Sequence, residues 1–594
     1  MPSDISAEGK QRSTEAFLAG AVLLGALAVR LAVWIGWRHA PFYSQPLLDA
    51  AFYRDLATGA FRPPPGPCLW NPLYPAFLEL LFGLGGEGTT TPVFAQMAMG
   101  ALGAELAYLT SRQWGLGRPG ALVASALAAL YAPFLVYEGL LLGAALAVFL
   151  VWIFLWTASA ARNRRFPLAW APAGAALGMA GLARPTLLAA LPLVAAWIVL
   201  RKKPPGGRRF PPAAAFLAFA LLPLVPTFVH NLSFSAPQPV ALHGGINFYI
   251  GNRPGASGRY ERPFPGPHGL WGQRRAAREE AQRRTGETMD WVEVDRFWYR
   301  KGLAGALANP GDWIALTGRK LLLLLNDTEL PLNYNVAFLR ERSPLLSLPL
   351  PTFGLVLALA AAGAVFRVTR KRDVLNRKGI DPPALLFLLG AGGATALFFI
   401  AARYRLPLLP PLLLLAGAGV SGTIGSLRKP QPVRLALAAA AALVAAVPAL
   451  APVSSPDFSS SFRLLGDALQ KEGRPAEAKK AYEQSIEIRP SSAAWNNLGN
   501  VLWRFKGRRE GEAAAEAFRN AIEMDEGNRQ AWNNLGVVQK GMGDLLGAEA
   551  TFQETVTRFP HYRKPAENLA RLYEEQGHPE AARDFLRWWE TRSQ

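Results

Sequence analysis

The sequence predicts an all-α protein: a polytopic membrane domain of about 11 transmembrane helices, then a C-terminal solenoid of helical repeats. Three observations predict it. Apolar stretches of about 17 to 25 residues recur through the first three quarters of the chain, and each can cross a hydrocarbon core of about 30 Å as a helix. Charged residues are only 18% of the 594 residues and hydrophobic ones 51%, whereas ordinary soluble domains carry about a quarter charged residues. Leu465-Gly466, Leu498-Gly499, Leu535-Gly536 and Leu569-Ala570 recur near the C-terminus at intervals of 33, 37 and 34. The net charge of +20 does not point to nucleic acid here, because much of the Lys and Arg falls in short loops between spans, where it sets orientation. Cys68 is the single cysteine, which excludes an internal disulfide and a cysteine metal cluster.

The elements follow in order. Residues 1–14 are polar and carry Lys10 and Arg12, which predicts a cytoplasmic N-terminus before an uncleaved first span over 16–37. The following loop, 38–91, lies outside and carries Asp49, Tyr53-Arg54-Asp55 and Trp70-Asn71-Pro72-Leu73-Tyr74-Pro75. Residues 75–84 are apolar but short and predict a re-entrant or interfacial helix. Spans follow at 92–110, 119–136 and 139–157, the last two turning at Tyr137-Glu138-Gly139. The apolar run 168–200 is too long for one helix and breaks at Arg184-Pro185. A span at 211–229 leads to an outer insertion, 231–344, rich in glycine, arginine and aromatics. Further spans are predicted at 345–366, 382–401, 406–426 and 435–452. Basic inner loops at 161–165, 201–209 and 367–378 alternate with outer loops that hold Asp49, Glu138, Arg184 and Arg403. The membrane domain is thus 15–452, with a linker at 453–460. The tail, 461–594, emerges on the outer side of what reads as a bacterial cytoplasmic membrane.

The candidate chemistry lies at the outer ends of the spans. Asp49 and Glu138 are the carboxylates placed to meet near one surface. One can serve as a general base, Asp55 is the alternative, and the pair could hold a divalent ion. Arg184, Arg403 and Arg405 can hold a phosphate leaving group, for which arginine offers a bidentate fork; their other reading is interfacial anchoring. His243-Gly-Gly-Ile-Asn-Phe-Tyr-Ile-Gly-Asn252 reads as a glycine-rich loop. In it Asn247 and Asn252 can hydrogen-bond a sugar and Tyr249 can stack on one, with Tyr53 a further contact from the first loop. His243 itself is expected to be structural. No phosphate-cradling P-loop is present to drive transport with ATP, and no inverted hydropathy repeats indicate a secondary transporter.

Two resemblances follow from these residues. Trp495-Asn-Asn-Leu-Gly and Trp532-Asn-Asn-Leu-Gly repeat almost verbatim, and with the spacing they resemble tetratricopeptide repeats. Such a stack implies a concave surface for a partner or acceptor. Residues 15–425 resemble GT-C membrane glycosyltransferases of the protein O-mannosyltransferase and aminoarabinose transferase superfamily (glycosyltransferase family 39-like). Asp49, Asn71-Pro-Leu-Tyr-Pro75, Gly245-Ile-Asn-Phe-Tyr-Ile-Gly-Asn252 and Ala402-Arg-Tyr-Arg-Leu-Pro407 carry that resemblance. It implies a polyprenyl-phosphate-linked sugar donor, an acceptor protein, lipid or glycan on the outer face, and inversion at the anomeric carbon. It implies Asp49 as the base and Glu138 as the second acid. Metal dependence varies within the superfamily. Asp49 is followed by Ala50 rather than by Glu, a departure from the adjacent Asp-Glu common in protein mannosyltransferases. The alternatives are a ligase or polymerase acting on lipid-diphosphate oligosaccharides, and a non-enzymatic membrane scaffold that presents the repeats.

Overall fold

The computed structural model describes residues 2–593 apart from 163, 165, 202–209, 265–268, 370–380, 454–456 and 506. The basic clusters Arg162–Arg165, Lys202–Arg209 and Arg370–Lys378 that orient the predicted topology therefore lie largely outside the described residues, as does part of the linker. The described chain is all-helical, with one isolated parallel bridge between Arg259 and Ile400. It forms two compact units, Met1–Ser454 and Ser455–Gln594.

In the first unit, five helices are long and apolar enough to cross a membrane: Ser13–Trp37, Ala144–Ala161, Pro211–Leu232, Ala402–Arg428 and Pro432–Leu450. The pair Arg118–Leu130 and Ala132–Glu138 qualifies together but bends by 47°, where Pro133 follows the break and denies the helix a backbone donor. Shorter apolar helices cover Leu73–Gly85, Pro167–Ala183, Pro185–Leu200, Phe353–Val368 and Pro382–Ala396. The expected turn at Tyr137-Glu138-Gly139 is corrected: Glu138 ends a buried helical segment, and residues 139–143 make the connection.

Leu437, Leu443, Val444 and Val447 are exposed on Pro432–Leu450. Such a face suits hydrocarbon rather than water. Helices in lipid associate through close packing of small residues. A Cβ added at Gly120 or Gly417 would collide with the other helix's backbone carbonyl or side chain, so these glycines set the approach of Arg118–Leu130 to Leu409–Arg428.

The insertion 231–344 is built rather than loose. It contains helices Gly244–Asn252, Gly269–Thr285, Trp291–Ala308 and Pro310–Leu325. Asp290 starts the third through a full capping box with Glu293. The first two and third share a core of Ile246, Ile250, Ala277, Ala281, Val294 and Trp298.

The second unit is a set of helical hairpins from Ser459–Lys471 to Pro579–Ser593. The repeat pattern has a direct packing cause. Gly466, Gly499 and Gly536 each lie against the ring of the paired helix, Tyr482, Phe518 and Phe552, with no room for a Cβ.

Candidate active site

Asp49 opens the helix Asp49–Ala57 directly after Leu48, which has φ 52°. A positive φ at a branched residue is strained, and such strain persists only where its surroundings impose it. Tyr334 imposes it here: its hydroxyl accepts from the Leu47 amide and donates to the Leu47 carbonyl, both at 3.2 Å. The Asp49 side chain is 7% exposed, and its Oδ2 accepts from Arg403 Nη1 at 2.8 Å. Its Oδ1 makes no hydrogen bond among the described residues. Arg403 stands in the first turn of Ala402–Arg428.

Tyr404 links this pair to a second arginine. The Arg403 guanidinium lies 5.4 Å and that of Arg184 4.4 Å from its ring centre, distances that suit cation–π attraction. Arg184 caps the helix Ala171–Ala183, and Asn71 Nδ2 donates to the adjoining Ala183 carbonyl at 3.0 Å. The Asn71 loop thereby fixes the helix end that presents Arg184. Tyr53, one turn beyond Asp49, packs edge-on to Tyr74 at 5.4 Å. Burial, and then the Asp49 carboxylate, push its hydroxyl well above the ordinary phenol range, so it stays protonated as a donor.

Several expected site residues are placed differently. Glu138 does not join Asp49. It pairs with Arg30 of the first span at 2.7 Å, with side-chain exposures of 6% and 1%. An arginine inside a span needs a counter-charge within the bundle, and Glu138 is it. Arg405 is also committed: Glu329 binds it at 2.7 Å, the Asn326 carbonyl accepts from it, and the Phe353 ring lies 3.9 Å away. Its charge is already neutralised, which corrects its expected phosphate role. Asp55 is bound to neighbouring Arg54 at 2.7 Å.

The passage expected to be a sugar-closing loop is the helix Gly244–Asn252. A Cβ at Gly245 would strike the Asp295 carbonyl, and one at Gly251 would strike Phe398, so the glycines serve helix packing. Asn252 donates to the Phe248 and Leu397 carbonyls and accepts from Trp313 and Lys320. Nothing is left over for a sugar. Tyr249 packs against Trp298 at 4.6 Å and stacks on Phe264. Asn247 makes no side-chain hydrogen bond among the described residues.

Two groups come into view that sequence reasoning missed or set aside. Arg274 is 8% exposed on Gly269–Thr285 and makes neither an ion pair within 4.0 Å nor a hydrogen bond among the described residues. His243 has a buried Nδ1 without a partner. Burial, then Arg274 and Arg184, hold its pKa down at about 3, so the ring is neutral. Asp295 accepts from the Gly245 amide at 2.8 Å. Burial raises its pKa above the usual carboxylate range, while the Gly245 amide and Arg274 oppose the rise. The legible signal for Arg274 was its register: Trp271, Arg274, Ala277 and Ala281 fall on the buried stripe of an amphipathic helix.

Among the described residues no three His, Cys, Asp or Glu side chains group to hold a metal ion. Asp49 and Glu138 are each satisfied by a separate arginine, a poor fit for a shared divalent ion.

The tetratricopeptide repeat family matches residues 463–508 and 504–562. The chain is similar to a protein O-mannosyl-transferase, TMTC1, of Mus musculus and of Homo sapiens, 26% identical over 116 residues in each case. The aligned stretch is 19% of this chain and 12% of the mouse or 13% of the human protein, so the chain spans about an eighth of these relatives. A crystal structure of MamA matches at 21% identity with a TM-score of 0.21, over 23% of this chain and 79% of that one.

Proposed function

We propose that this chain is a multi-pass membrane glycosyltransferase. It moves a sugar from a polyprenyl-phosphate donor to an acceptor at the outer face of a bacterial cytoplasmic membrane, with inversion. One observation carries the reading: a buried carboxylate, Asp49, is held at one oxygen by Arg403 from a distant span, keeps the other oxygen uncommitted, and has the guanidinium of Arg184 across a shared tyrosine. The partial similarity to mannosyltransferases supports the reaction class.

In the proposed step, Asp49 Oδ1 takes the proton of an acceptor hydroxyl as its oxygen bonds to the anomeric carbon. The bond from that carbon to the phosphate oxygen breaks, and the electron pair leaves with the lipid phosphate. Arg403 holds Asp49 in position, and Arg184 stabilises the negative charge gathering on the leaving group. Tyr53 remains a neutral donor beside the reacting atoms. Asn247, which makes no side-chain hydrogen bond among the described residues, is free to meet the sugar. Apolar grooves between spans accept the isoprenoid tail. The repeats, a fold that serves as a protein-binding module, recruit the acceptor.

The test is transfer from a panel of radiolabelled polyprenyl-monophosphate sugars by the purified full chain. The expected result is sugar release that Asp49→Asn lowers by about 10²–10⁴-fold, the usual worth of a general base. Near-normal turnover by Asp49→Asn would sink the base assignment. Transfer only from diphosphate-linked oligosaccharides would make the chain a ligase or polymerase. A second reading, a membrane scaffold, is favoured by the repeat match. It requires function to survive loss of Asp49 and to fail on substitution of the repeat surface.

A further inference from the structure

Three buried nitrogen groups beside the Asp49–Arg403 pair have no acceptor. Arg184 Nε and His243 Nδ1 are buried without hydrogen-bond partners, and Arg274 is 8% exposed with no ion pair or hydrogen bond among the described residues. They come from three separate segments: a span junction, the start of Gly244–Asn252, and Gly269–Thr285. The packing brings them together. Trp271 shares a cluster with Leu242, the residue before His243. Ala277 shares another with Ile246, three residues after His243, and Tyr404 packs on that same cluster. Arg274 lies between Trp271 and Ala277 on its helix and so faces the His243 segment, while Arg184 reaches the site over Tyr404.

A buried guanidinium without a counter-ion is costly, and two beside a third raise the cost. The carboxylates nearby do not discharge it. Asp49 binds Arg403, and Asp295, which faces Arg274, takes the Gly245 amide. Three guanidiniums thus meet two carboxylates, with a neutral histidine beside two of them. The cluster lacks a hydrogen-bond acceptor carrying about one negative charge. A structural salt bridge would have supplied one from the chain.

We propose that Arg274, Arg184 and His243 form a phosphate pocket, distinct from the Asp49–Arg403 pair, that holds the head group of the lipid-phosphate substrate. This rests on the glycosyltransferase reading above and deepens it. Arg403 is reserved for the base, and the phosphate falls to two arginines free to bind it, one of them supplied by the outer insertion. A phosphodiester monoanion matches the missing charge, and its oxygens accept from the guanidinium forks and from an imidazole N–H.

The experiment measures binding apart from transfer. Full-length protein in nanodiscs is titrated with radiolabelled polyprenyl monophosphate, with inorganic phosphate as competitor. The variants are Arg274→Gln, Arg184→Gln, Arg274→Lys and Asp49→Asn. Loss of a charge-assisted contact predicts about 10–100-fold weaker lipid-phosphate binding for Arg274→Gln and Arg184→Gln. Arg274→Lys recovers part of the loss, which a purely structural arginine would not do. Asp49→Asn binds as wild type while losing transfer.

Competition by millimolar inorganic phosphate that Arg274→Gln abolishes supports the pocket as a site for phosphate from either source; failure to compete with lipid binding intact assigns it to the lipid head group. Unchanged affinity in both glutamine variants, at wild-type melting temperature, overturns the pocket even if the wild type transfers sugar. Tight Arg274-dependent binding without transfer from any donor leaves the pocket standing and removes the glycosyltransferase reading.

Discussion

Two of the buried carboxylate–arginine pairs differ in kind: Asp49 with Arg403 and Glu138 with Arg30, at 2.8 and 2.7 Å. The Glu138 pair is closed. Gln96 Nε2 bonds the backbone carbonyls of Glu138 and Leu140 and its Oε1 accepts from Tyr74, and the neighbouring cavity wall is apolar, with Met99, Phe134, Val148 and Trp152. The Asp49 pair is open. It has a free carboxylate oxygen, a strained residue before it, and unpaired nitrogens around it. A buried ion pair is therefore no mark of function in itself. The mark is what remains unsatisfied nearby, because a stable fold has no reason to leave it so.

The largest effect that sharpens this contrast is on transfer. Asp49→Asn should cost about 10²–10⁴-fold in kcat/KM, while Glu138→Gln in folded protein should stay within a few-fold of wild type; equal losses would break the comparison. On stability the order reverses. Glu138→Ala strands Arg30 inside the bundle and should cost about 3–5 kcal/mol, read as a lowered Tm in detergent. Pairing Glu138→Leu with Arg30→Met should recover most of it, since an apolar pair avoids the desolvation cost.

Smaller still is Asn252→Leu, which leaves Lys320 and Trp313 without their acceptor. It should lower stability by about 1–3 kcal/mol and leave the KM for donor unchanged, against a sugar-binding role. The last prediction is a pH dependence of stability. His243 is held near 3 in the folded chain and titrates near about 6.5 when unfolded. The unfolded state therefore binds the extra proton, and stability is full above about 6.5 and declines as the pH falls toward about 3. His243→Gln should flatten that limb in acid-unfolding curves.

The helical class and the repeats were legible because hydropathy length and a recurring Leu-Gly step follow directly from packing. Asp49, Arg184 and Arg403 were legible as polar groups at span ends. Glu138 was misread because loop sidedness places a residue at a depth but does not reveal which helix face it occupies; Arg30, a charge inside the first span, was the overlooked sign that a partner was needed. Arg405 was misread because it stands two residues from Arg403, yet Glu329 lies in a segment the sequence does not connect to it. The passage Gly244–Asn252 was read as a loop because glycine suggests turns, whereas here it makes room for Asp295 and Phe398. Arg274 stayed hidden because the outer insertion was taken as one polar block, not as helices with a buried stripe of their own.

The contact between Asp49 and Arg403 joins residues 354 positions apart. A ribosome adding about 5–20 residues per second needs roughly 20–70 s between the two, so the nascent protein carries Asp49 without this counter-charge for most of its synthesis. The site is sealed only when the penultimate long apolar helix, Ala402–Arg428, has been inserted. A chain stalled or cut before Arg403 would hold all of the first loop and none of the restraint on it. Biogenesis thus keeps Asp49 out of its folded geometry until the membrane domain is nearly whole.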